Sequence, residues 1–193
     1  MIVYLHGFNS SSQSFKARAL RAYLEKEGRE DELLCPDLPP SPREAMDGIT
    51  RLLDGLDGAP VALVGSSLGG YYATWLAERR GLRAALLNPA MRPYELLKDY
   101  VGPQKNLYTG AEYELTVQHL DELAALEAER ITPERYLLLV ETGDEVLDYR
   151  QAVDRYRGCR QIIVPGGDHG LSDFGRHVDA VLRFAREPAV RPV

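Results

Sequence analysis

A glycine-serine turn that follows a short apolar run is the feature of this sequence that most restricts its fold. Residues 61–71 read Val-Ala-Leu-Val-Gly-Ser-Ser-Leu-Gly-Gly-Tyr, with Ser67 at the centre of a Gly-x-Ser-x-Gly pattern. A strand that enters a helix through such a turn strains the serine backbone and raises the hydroxyl above the sheet edge. Gly65 and Gly69 would then approach so closely that side chains collide. The pattern predicts a nucleophilic serine at 67, and an ordinary glycine-rich strand-helix turn is the alternative.

The composition excludes several classes of partner. The 193 residues are enough to bury a continuous sheet between helices in one domain spanning 1–193. The net charge of −6, with no run of Lys and Arg, argues against nucleic acid. No apolar stretch approaches membrane-spanning length, and the first residues lack a basic-then-apolar signal segment. We therefore expect a cytoplasmic protein with no nucleic-acid partner and no membrane insertion.

The two cysteines are expected to be buried, reduced thiols. Cys35 and Cys159 lie in or beside expected strands, and neither has metal-ligand spacing to another Cys or His. We expect the chemistry to need no metal and no organic cofactor. The oligomeric state stays open.

Short apolar runs alternate with amphipathic segments along the chain. The runs are continuously apolar, as in strands of a parallel sheet that is covered on both faces. This alternation predicts a compact, doubly wound α/β sandwich with a mostly parallel sheet of about six strands and right-handed crossovers. The expected strands are 2–5, 32–36, 60–65, 83–88, 135–141 and 160–164, and the expected helices are 12–27, 42–56, 69–80, 148–157 and 172–186, with N-caps at Ser41 and Ser172.

The alternation is interrupted between residues 89 and 134. We expect this insertion to be helical, with a short helix over 93–100 and one long helix over 113–130. Such a segment is too long for a strand-helix loop, so it is interpreted as a small lid, with extra packing on the sheet as the alternative. The last residues, 187–193, are expected to be a frayed tail.

A nucleophilic serine needs a base, and His169 has the best context among the four histidines. It follows the expected strand 160–164 in a glycine-rich turn. That turn and the Ser67 turn should lie at the same carboxyl edge of the sheet, where open α/β sheets bind ligands. His169 is therefore the expected general base, and a structural histidine in a turn is the alternative.

The base in turn needs an orienting carboxylate, and Asp144 is the preferred candidate. It is the first carboxylate after the glycine that ends the expected strand 135–141. Asp148 is expected to cap the next helix, and Asp168 is too close in sequence to His169 for a side-on contact. The order Ser67, Asp144, His169 is the order found in α/β hydrolases.

Two backbone N–H groups should hold the oxyanion of a tetrahedral intermediate. One belongs to Leu68, at the start of a helix. The other is expected from Phe8, in the loop after the first strand, where His6 should hold the loop by hydrogen bonding. The expected apolar walls for an acyl chain are Phe8, Tyr71, Met91, Tyr94 and Leu147, with a place in the core as the alternative for each.

Five motifs together resemble the UPF0227 family of bacterial esterases. They are Tyr-Leu-His-Gly-Phe-Asn-Ser-Ser at 4–11, Gly-Ser-Ser-Leu-Gly-Gly-Tyr at 65–71, Asn-Pro-Ala at 88–90, Thr-Gly-Asp-Glu-Val-Leu-Asp-Tyr at 142–149 and Gly-Gly-Asp-His at 166–169. The resemblance covers essentially the whole chain, with Ser12 where a proline is common. It implies an α/β hydrolase with the same Ser67, Asp144 and His169, acting on short acyl esters.

The sequence therefore predicts a serine hydrolase whose partner is a small-molecule acyl ester or thioester. Cleavage would pass through an acyl-enzyme on Ser67. The resemblance leaves room for acyl-CoA thioesters, and an acyltransferase would use the same three residues. A non-catalytic binding module with this fold is the alternative from another class.

Overall fold

The computed structural model describes residues 1–56 and 58–188, in which a parallel sheet lies between two layers of helices. Its six strands are hydrogen-bonded in the order β2-β1-β3-β4-β7-β8, and every neighbouring pair is parallel. The remaining strands, β5 and β6, form a separate antiparallel pair. In chain order the strands are β1 (Ile2–Leu5), β2 (Leu33–Leu34), β3 (Ala62–Ser66), β4 (Arg83–Leu87), β5 (Gly102–Lys105), β6 (Glu112–Leu115), β7 (Tyr136–Glu141) and β8 (Arg160–Val164).

Helices cover both faces of the six-stranded sheet. They are α1 (Phe15–Lys26), α2 (Pro42–Asp54), α3 (Leu68–Arg80), α4 (Pro93–Leu96), α5 (Val117–Ala124), α6 (Tyr149–Arg155) and α7 (Val178–Arg186). Strand β7 shows why its sequence is continuously apolar: Leu138 packs in the core cluster with α2, α3 and α6, whereas Leu137 and Leu139 pack in the cluster with α1 and α7. Both sets are buried, so the strand has no polar face.

Several expected elements are confirmed within one or two residues of their ends. Pro42 begins α2 behind an N-cap at Ser41, whose hydroxyl accepts from the Glu44 N–H at 3.3 Å. Asp148 caps α6 by accepting from the Arg150 N–H. Strand β2 is shorter than expected, with two residues. No helix in the described ranges has both the length and the apolarity needed to cross a bilayer.

The expected long helix over 113–130 is wrong. Residues 112–115 instead form β6, which pairs with β5 around a turn containing Gly110 at φ 73°. The sequence Glu-Tyr-Glu-Leu of β6 alternates between exposed and more buried residues, as a strand does. Thr116 then caps α5 in a box with His119, and the helix ends at Ala124. The insertion is therefore a hairpin with two short helices.

The expected start of the last helix at Ser172 is also wrong. Leu171 has φ 52°, and a 3-10 turn over Phe174–Arg176 precedes α7, which begins at Val178. Leu171 and Phe174 are fully buried in the core. Their burial anchors this irregular segment and leaves Ser172 exposed on the surface. Of the expected tail, residues 189–193 lie outside the described residues.

Candidate active site

Ser67 lies in a strained turn between β3 and α3. Its backbone has φ 53° and ψ −120°, a conformation that L-residues rarely adopt. A Cβ on Gly65 would lie 2.7 Å from the Gly70 Cα, and a Cβ on Gly69 would lie 2.6 Å from the His6 carbonyl oxygen. The steric reason for glycine at both flanking positions is thus confirmed. The Ser67 N–H donates to the Leu87 carbonyl at 3.0 Å, which fixes the turn against β4.

The fold brings the hydroxyl of Ser67, the imidazole of His169 and the carboxylate of Asp144 into one chain of hydrogen bonds. The His169 Nε2 lies 3.1 Å from the Ser67 Oγ, and its Nδ1 lies 2.8 Å from the Asp144 Oδ2. An ionised carboxylate only accepts, so Nδ1 carries the proton and Nε2 accepts from the serine hydroxyl. The three residues follow β3, β7 and β8, at the carboxyl edge of the sheet.

The environment of Asp144 favours its ionised form. Its side chain is only 1% exposed, and this burial alone would raise the pKa of the carboxyl. Hydrogen bonds from His169 and from the backbone N–H groups of Leu147 and Val146 outweigh burial, so the pKa is lowered below its usual value. Asp144 therefore stays charged at neutral pH and can hold the imidazole in one tautomer.

Phe8 and Leu68, the two residues expected to donate to the oxyanion, line the same cavity as Ser67. Leu68 is the first residue of α3, where the N–H has no acceptor within its own helix. The loop that carries Phe8 packs against Ser67, because a Cβ on Gly7 would lie 3.1 Å from the Ser67 Cβ. His6 holds this loop as expected: its Nε2 accepts from the Leu38 N–H at 3.0 Å. Burial lowers the pKa of His6, which favours the neutral ring that this contact needs.

The β5–β6 hairpin, which sequence reasoning missed, is hydrogen-bonded to the same loop. Asn9, at φ 52°, accepts from the Tyr113 hydroxyl at 2.8 Å and donates to the Gln104 side chain at 3.1 Å. The Asn106 side chain donates to the Ser10 carbonyl at 2.7 Å. These contacts fix the backbone immediately after Phe8. The signal available in the sequence was the period-two alternation of residues 112–115.

A cavity of about 260 Å³ opens beside Ser67 and His169. Phe8 and Leu147, two of the expected walls, line it. Apart from the reacting groups its lining is almost entirely apolar, and it includes Ala90, Pro93, Leu96, Leu97, Tyr100 and Val146, which the sequence did not single out. The sequence feature that could have indicated Leu96, Leu97 and Tyr100 as lining residues is their clustering on the expected helix 93–100. This cavity can hold an apolar group next to the serine hydroxyl.

Three of the expected walls lie elsewhere. Tyr71 and Met91 line a second cavity of about 450 Å³, and the Tyr71 hydroxyl donates to the Leu123 carbonyl at 2.8 Å. The Tyr94 hydroxyl donates to Glu127 at 2.6 Å. In the described part of the chain, none of the three lines the cavity beside Ser67. Both tyrosines carry polar contacts that only the folded insertion creates.

Solved structures with this architecture include Est1E from Butyrivibrio proteoclasticus, with a TM-score of 0.69 and 16% identity, covering 95% of this chain and 85% of that one. The alpha/beta hydrolase domain-containing protein 10 from mouse gives a TM-score of 0.66 at 16% identity, covering 94% and 89%. The monoacylglycerol lipase of Paleococcus ferrophilus gives 0.69 at 18% identity, covering 95% and 94%. The chain therefore has the fold of the α/β hydrolases, as expected.

The chain belongs to the uncharacterised protein family UPF0227, whose model matches residues 1–186. The family resemblance drawn from the five motifs is thus confirmed. A UPF0227 protein of Shewanella sediminis is 29% identical over 97 residues, which cover 49% of this chain and 54% of that protein. One from Shewanella woodyi is 30% identical over 99 residues, with the same coverage. In these matches the chain spans about half the length of the relatives.

Proposed function

We propose that this protein is a serine hydrolase that cleaves carboxylic esters of short or medium acyl chains. The observation that carries the proposal is the continuous hydrogen-bond chain from the Ser67 hydroxyl through His169 to Asp144, at 3.1 and 2.8 Å. Nucleophile, base and orienting acid are each within hydrogen-bond reach in the unliganded fold. The name of one structural neighbour, a monoacylglycerol lipase, agrees with this proposal.

In the acylation step, the Ser67 Oγ attacks the ester carbonyl carbon while His169 Nε2 accepts the hydroxyl proton. The carbonyl oxygen becomes an oxyanion, which the N–H groups of Leu68 and Phe8 would stabilise. The resulting imidazolium is stabilised by the ionised Asp144. His169 then gives the proton to the leaving alcohol oxygen as the carbon–oxygen bond breaks.

In the second half of the cycle, water attacks the acyl-enzyme. His169 takes one proton from the water, the tetrahedral intermediate collapses, and the proton returns to the Ser67 oxygen. The products are the carboxylic acid and free enzyme. Each proton moves through Nε2, so the cycle uses groups that this chain itself supplies.

The cavity beside Ser67 supports an uncharged acyl substituent. Its walls offer alkyl and aromatic surface from Leu97, Leu147 and Phe8. Burying a charged or strongly polar acyl group there would cost free energy that these walls cannot repay. We therefore assign the cavity to the acyl chain of a neutral ester or thioester.

A fluorophosphonate probe tests the proposal directly, since it phosphonylates only an activated serine. We expect an adduct on Ser67 by peptide mass spectrometry, with no adduct in Ser67→Ala. The matched control is Ser66→Ala, which removes the neighbouring hydroxyl and should keep labelling. Absence of labelling in the wild-type protein would support the binding-module alternative instead.

The leaving group is tested separately with matched substrates. Turnover of p-nitrophenyl esters and of acyl-CoA thioesters is compared at equal acyl length from two to twelve carbons. A higher kcat/KM for the oxygen esters supports the proposal. A preference for the acyl-CoA series would replace it by a thioesterase with the same three residues.

A further inference from the structure

The side chain of Asn88 connects the end of β7 to the turn that carries His169. Asn88 follows β4, is 2% exposed and has φ 41°. Its Nδ2 donates to the carbonyls of Asp168 at 3.1 Å and His169 at 3.3 Å. Its Oδ1 accepts from the Glu141 N–H at 3.0 Å. One buried amide therefore uses both of its polar atoms, one on the end of β7 and the other on the His169 turn.

The backbone around Asn88 reaches the third loop of the site. The N–H of Ala90 donates to the Ser67 carbonyl at 3.0 Å, and the Asn88 N–H donates to the Leu139 carbonyl at 2.9 Å. A Cβ on Gly70 would lie 2.8 Å from the Pro89 Cβ, so this segment also packs closely on the start of α3. The Asn-Pro-Ala segment is thus in contact with the turn of Ser67, with the end of β7 that precedes Asp144, and with the turn of His169.

The His169 turn depends on side chains because it lies outside helices and strands. Glu141 accepts from the Asp168 N–H at 2.7 Å, and Glu145 accepts from the His169 N–H at 3.0 Å. Together with the two hydrogen bonds from Asn88, these contacts pair the backbone N–H and carbonyl groups of both Asp168 and His169. Among them, Asn88 is the buried neutral donor, which pH does not change between 5 and 8.

We propose that Asn88 is a positioning residue: its amide holds the His169 turn against the end of β7 and so keeps the imidazole between Ser67 and Asp144. This inference rests on the proposed function only for its kinetic readout. If the turn shifts, the serine-to-histidine contact of 3.1 Å is lost, whereas the apolar walls of the cavity, such as Phe8, Leu97 and Leu147, lie outside that turn. The cost should therefore appear in kcat, with KM nearly unchanged.

The decisive variant is Asn88→Asp, which keeps the shape and the acceptor and replaces the NH₂ donor by a carboxylate oxygen. Asp tolerates the left-handed backbone that this position needs. We expect kcat to fall about 10- to 100-fold at pH 8, because a misplacement of about 1 Å can cost up to 10² in rate. When protonated, the new carboxyl regains one O–H donor. The ratio of variant to wild-type kcat should therefore rise as the pH falls from 8 to 5.

The charges around the turn favour that recovery. Glu141, Asp144 and Glu145, from β7 and the turn after it, disfavour a further carboxylate, as does Asp168 in the His169 turn. Lys16 of α1, which donates to the Gly170 carbonyl, acts in the opposite direction, as does any protonated His169. Three of the four acidic groups bond directly to the turn or to His169. We therefore expect the introduced carboxyl to take up its proton within the range assayed.

The matched control is Asn88→Gly, which suits the positive φ and lacks both polar atoms. The kcat of this variant at pH 8 should be reduced by a factor similar to that in Asn88→Asp. The ratio of its kcat to the wild-type kcat should not change with pH. Equal, pH-independent ratios for the two variants would overturn the proposal, as would wild-type kcat in either. Circular dichroism melts of each variant establish that assays use folded protein.

A readout without substrate separates this inference from the proposed function. The Nδ1 proton that His169 shares with Asp144 should give a downfield proton resonance in the wild-type protein. Its loss in Asn88→Gly, and its recovery at acid pH in Asn88→Asp, supports positioning even if the wild type hydrolyses no ester and binds no fluorophosphonate. An unchanged resonance in both variants would contradict positioning, whatever the activity.

Discussion

The carboxylate of Glu141 occupies the space that a side chain on Gly167 would need. A Cβ on Gly167 would lie 2.7 Å from the Glu141 Oε1, and Gly167 has φ 77°. Glu141 is 1% exposed, and its Oε2 accepts from the Asp168 N–H at 2.7 Å, so a shift of the carboxylate would break that hydrogen bond. Burial and the neighbouring Asp173 raise the pKa of the Glu141 carboxyl. The hydrogen bond that this carboxyl accepts from the Asp168 N–H acts in the opposite direction. The strand end and the histidine turn are thus fitted to each other without spare volume.

The first prediction is that Gly167→Ala damages both stability and activity. The left-handed backbone alone costs an alanine roughly 1–2 kcal/mol. The collision with Glu141 adds about 1–3 kcal/mol, as other overpacked sites do. We expect the free energy of unfolding in urea to fall by the sum, and kcat to fall at least about tenfold because His169 lies two residues away.

Gly166→Ala provides the control for this steric argument. Gly166 has a nearly identical φ of 75°, but a Cβ there would meet nothing within 4 Å. It should therefore show the backbone cost alone. Equal losses of stability in the two variants would mean that the contact with Glu141 is unimportant.

A second prediction concerns Asp144→Asn. The new amide can donate to His169 Nδ1, which favours the tautomer with the proton on Nε2. In that tautomer Nε2 cannot accept the proton of the Ser67 hydroxyl. In a serine protease the corresponding change lowers kcat about 10⁴-fold, and a similar loss is expected here. The measurement is kcat on a p-nitrophenyl ester, together with the rate of fluorophosphonate labelling.

Asp148→Asn is the matched control, because Asp148 lies four residues on and caps α6 without contacting His169. Asn is also a good N-cap, so this variant should keep nearly full activity. A comparable loss of kcat in both variants would mean that Asp144 acts only through the structure of its turn.

The third prediction tests whether the β5–β6 hairpin fixes the oxyanion loop. Burial raises the pKa of Tyr113 to about 12, so its hydroxyl stays protonated and donates to Asn9. Tyr113→Phe removes a neutral hydrogen bond worth about 0.5–1.5 kcal/mol. If the whole of this free energy serves to position the Phe8 N–H in the transition state, kcat should fall about 2- to 10-fold with KM unchanged. Tyr108→Phe, on the exposed side chain at the hairpin tip, should change neither constant.

The parts of the fold that were predictable from sequence are those with a local signal. The continuously apolar runs gave the six parallel strands, and Ser41-Pro42 and Asp148 marked helix starts by their own capping chemistry. The turns after β3, β7 and β8 could be placed at one sheet edge because parallel strands end there together. The meeting of Ser67, Asp144 and His169 follows from that topology, and their catalytic roles stay a proposal.

The missed features depend on contacts between segments far apart in the sequence. Residues 112–115 form a strand only because Gly102–Lys105 is available to pair with them, and apolar spacing alone favoured a helix. The Asn-Pro-Ala motif is visible in the sequence, but the partners of the Asn88 side chain lie 53 to 81 residues away. Tyr71 and Tyr94 lie outside the cavity beside Ser67, and their hydroxyls bond to Leu123 and Glu127 of the insertion, contacts that the sequence does not reveal.

The last prediction is a pH dependence of stability set by Lys16. Burial lowers the pKa of its amine to about 8, against the opposing effect of Asp168, Asp144 and Glu141. Between pH 8 and the usual value of 10.5, the unfolded chain therefore binds more protons than the folded protein at this site. The free energy of unfolding gains from this group as the pH rises through that window. In urea titrations the wild type should thus gain stability relative to Lys16→Met between pH 7 and pH 10. A constant difference between the two proteins over this range would show that the Lys16 amine titrates alike in both states.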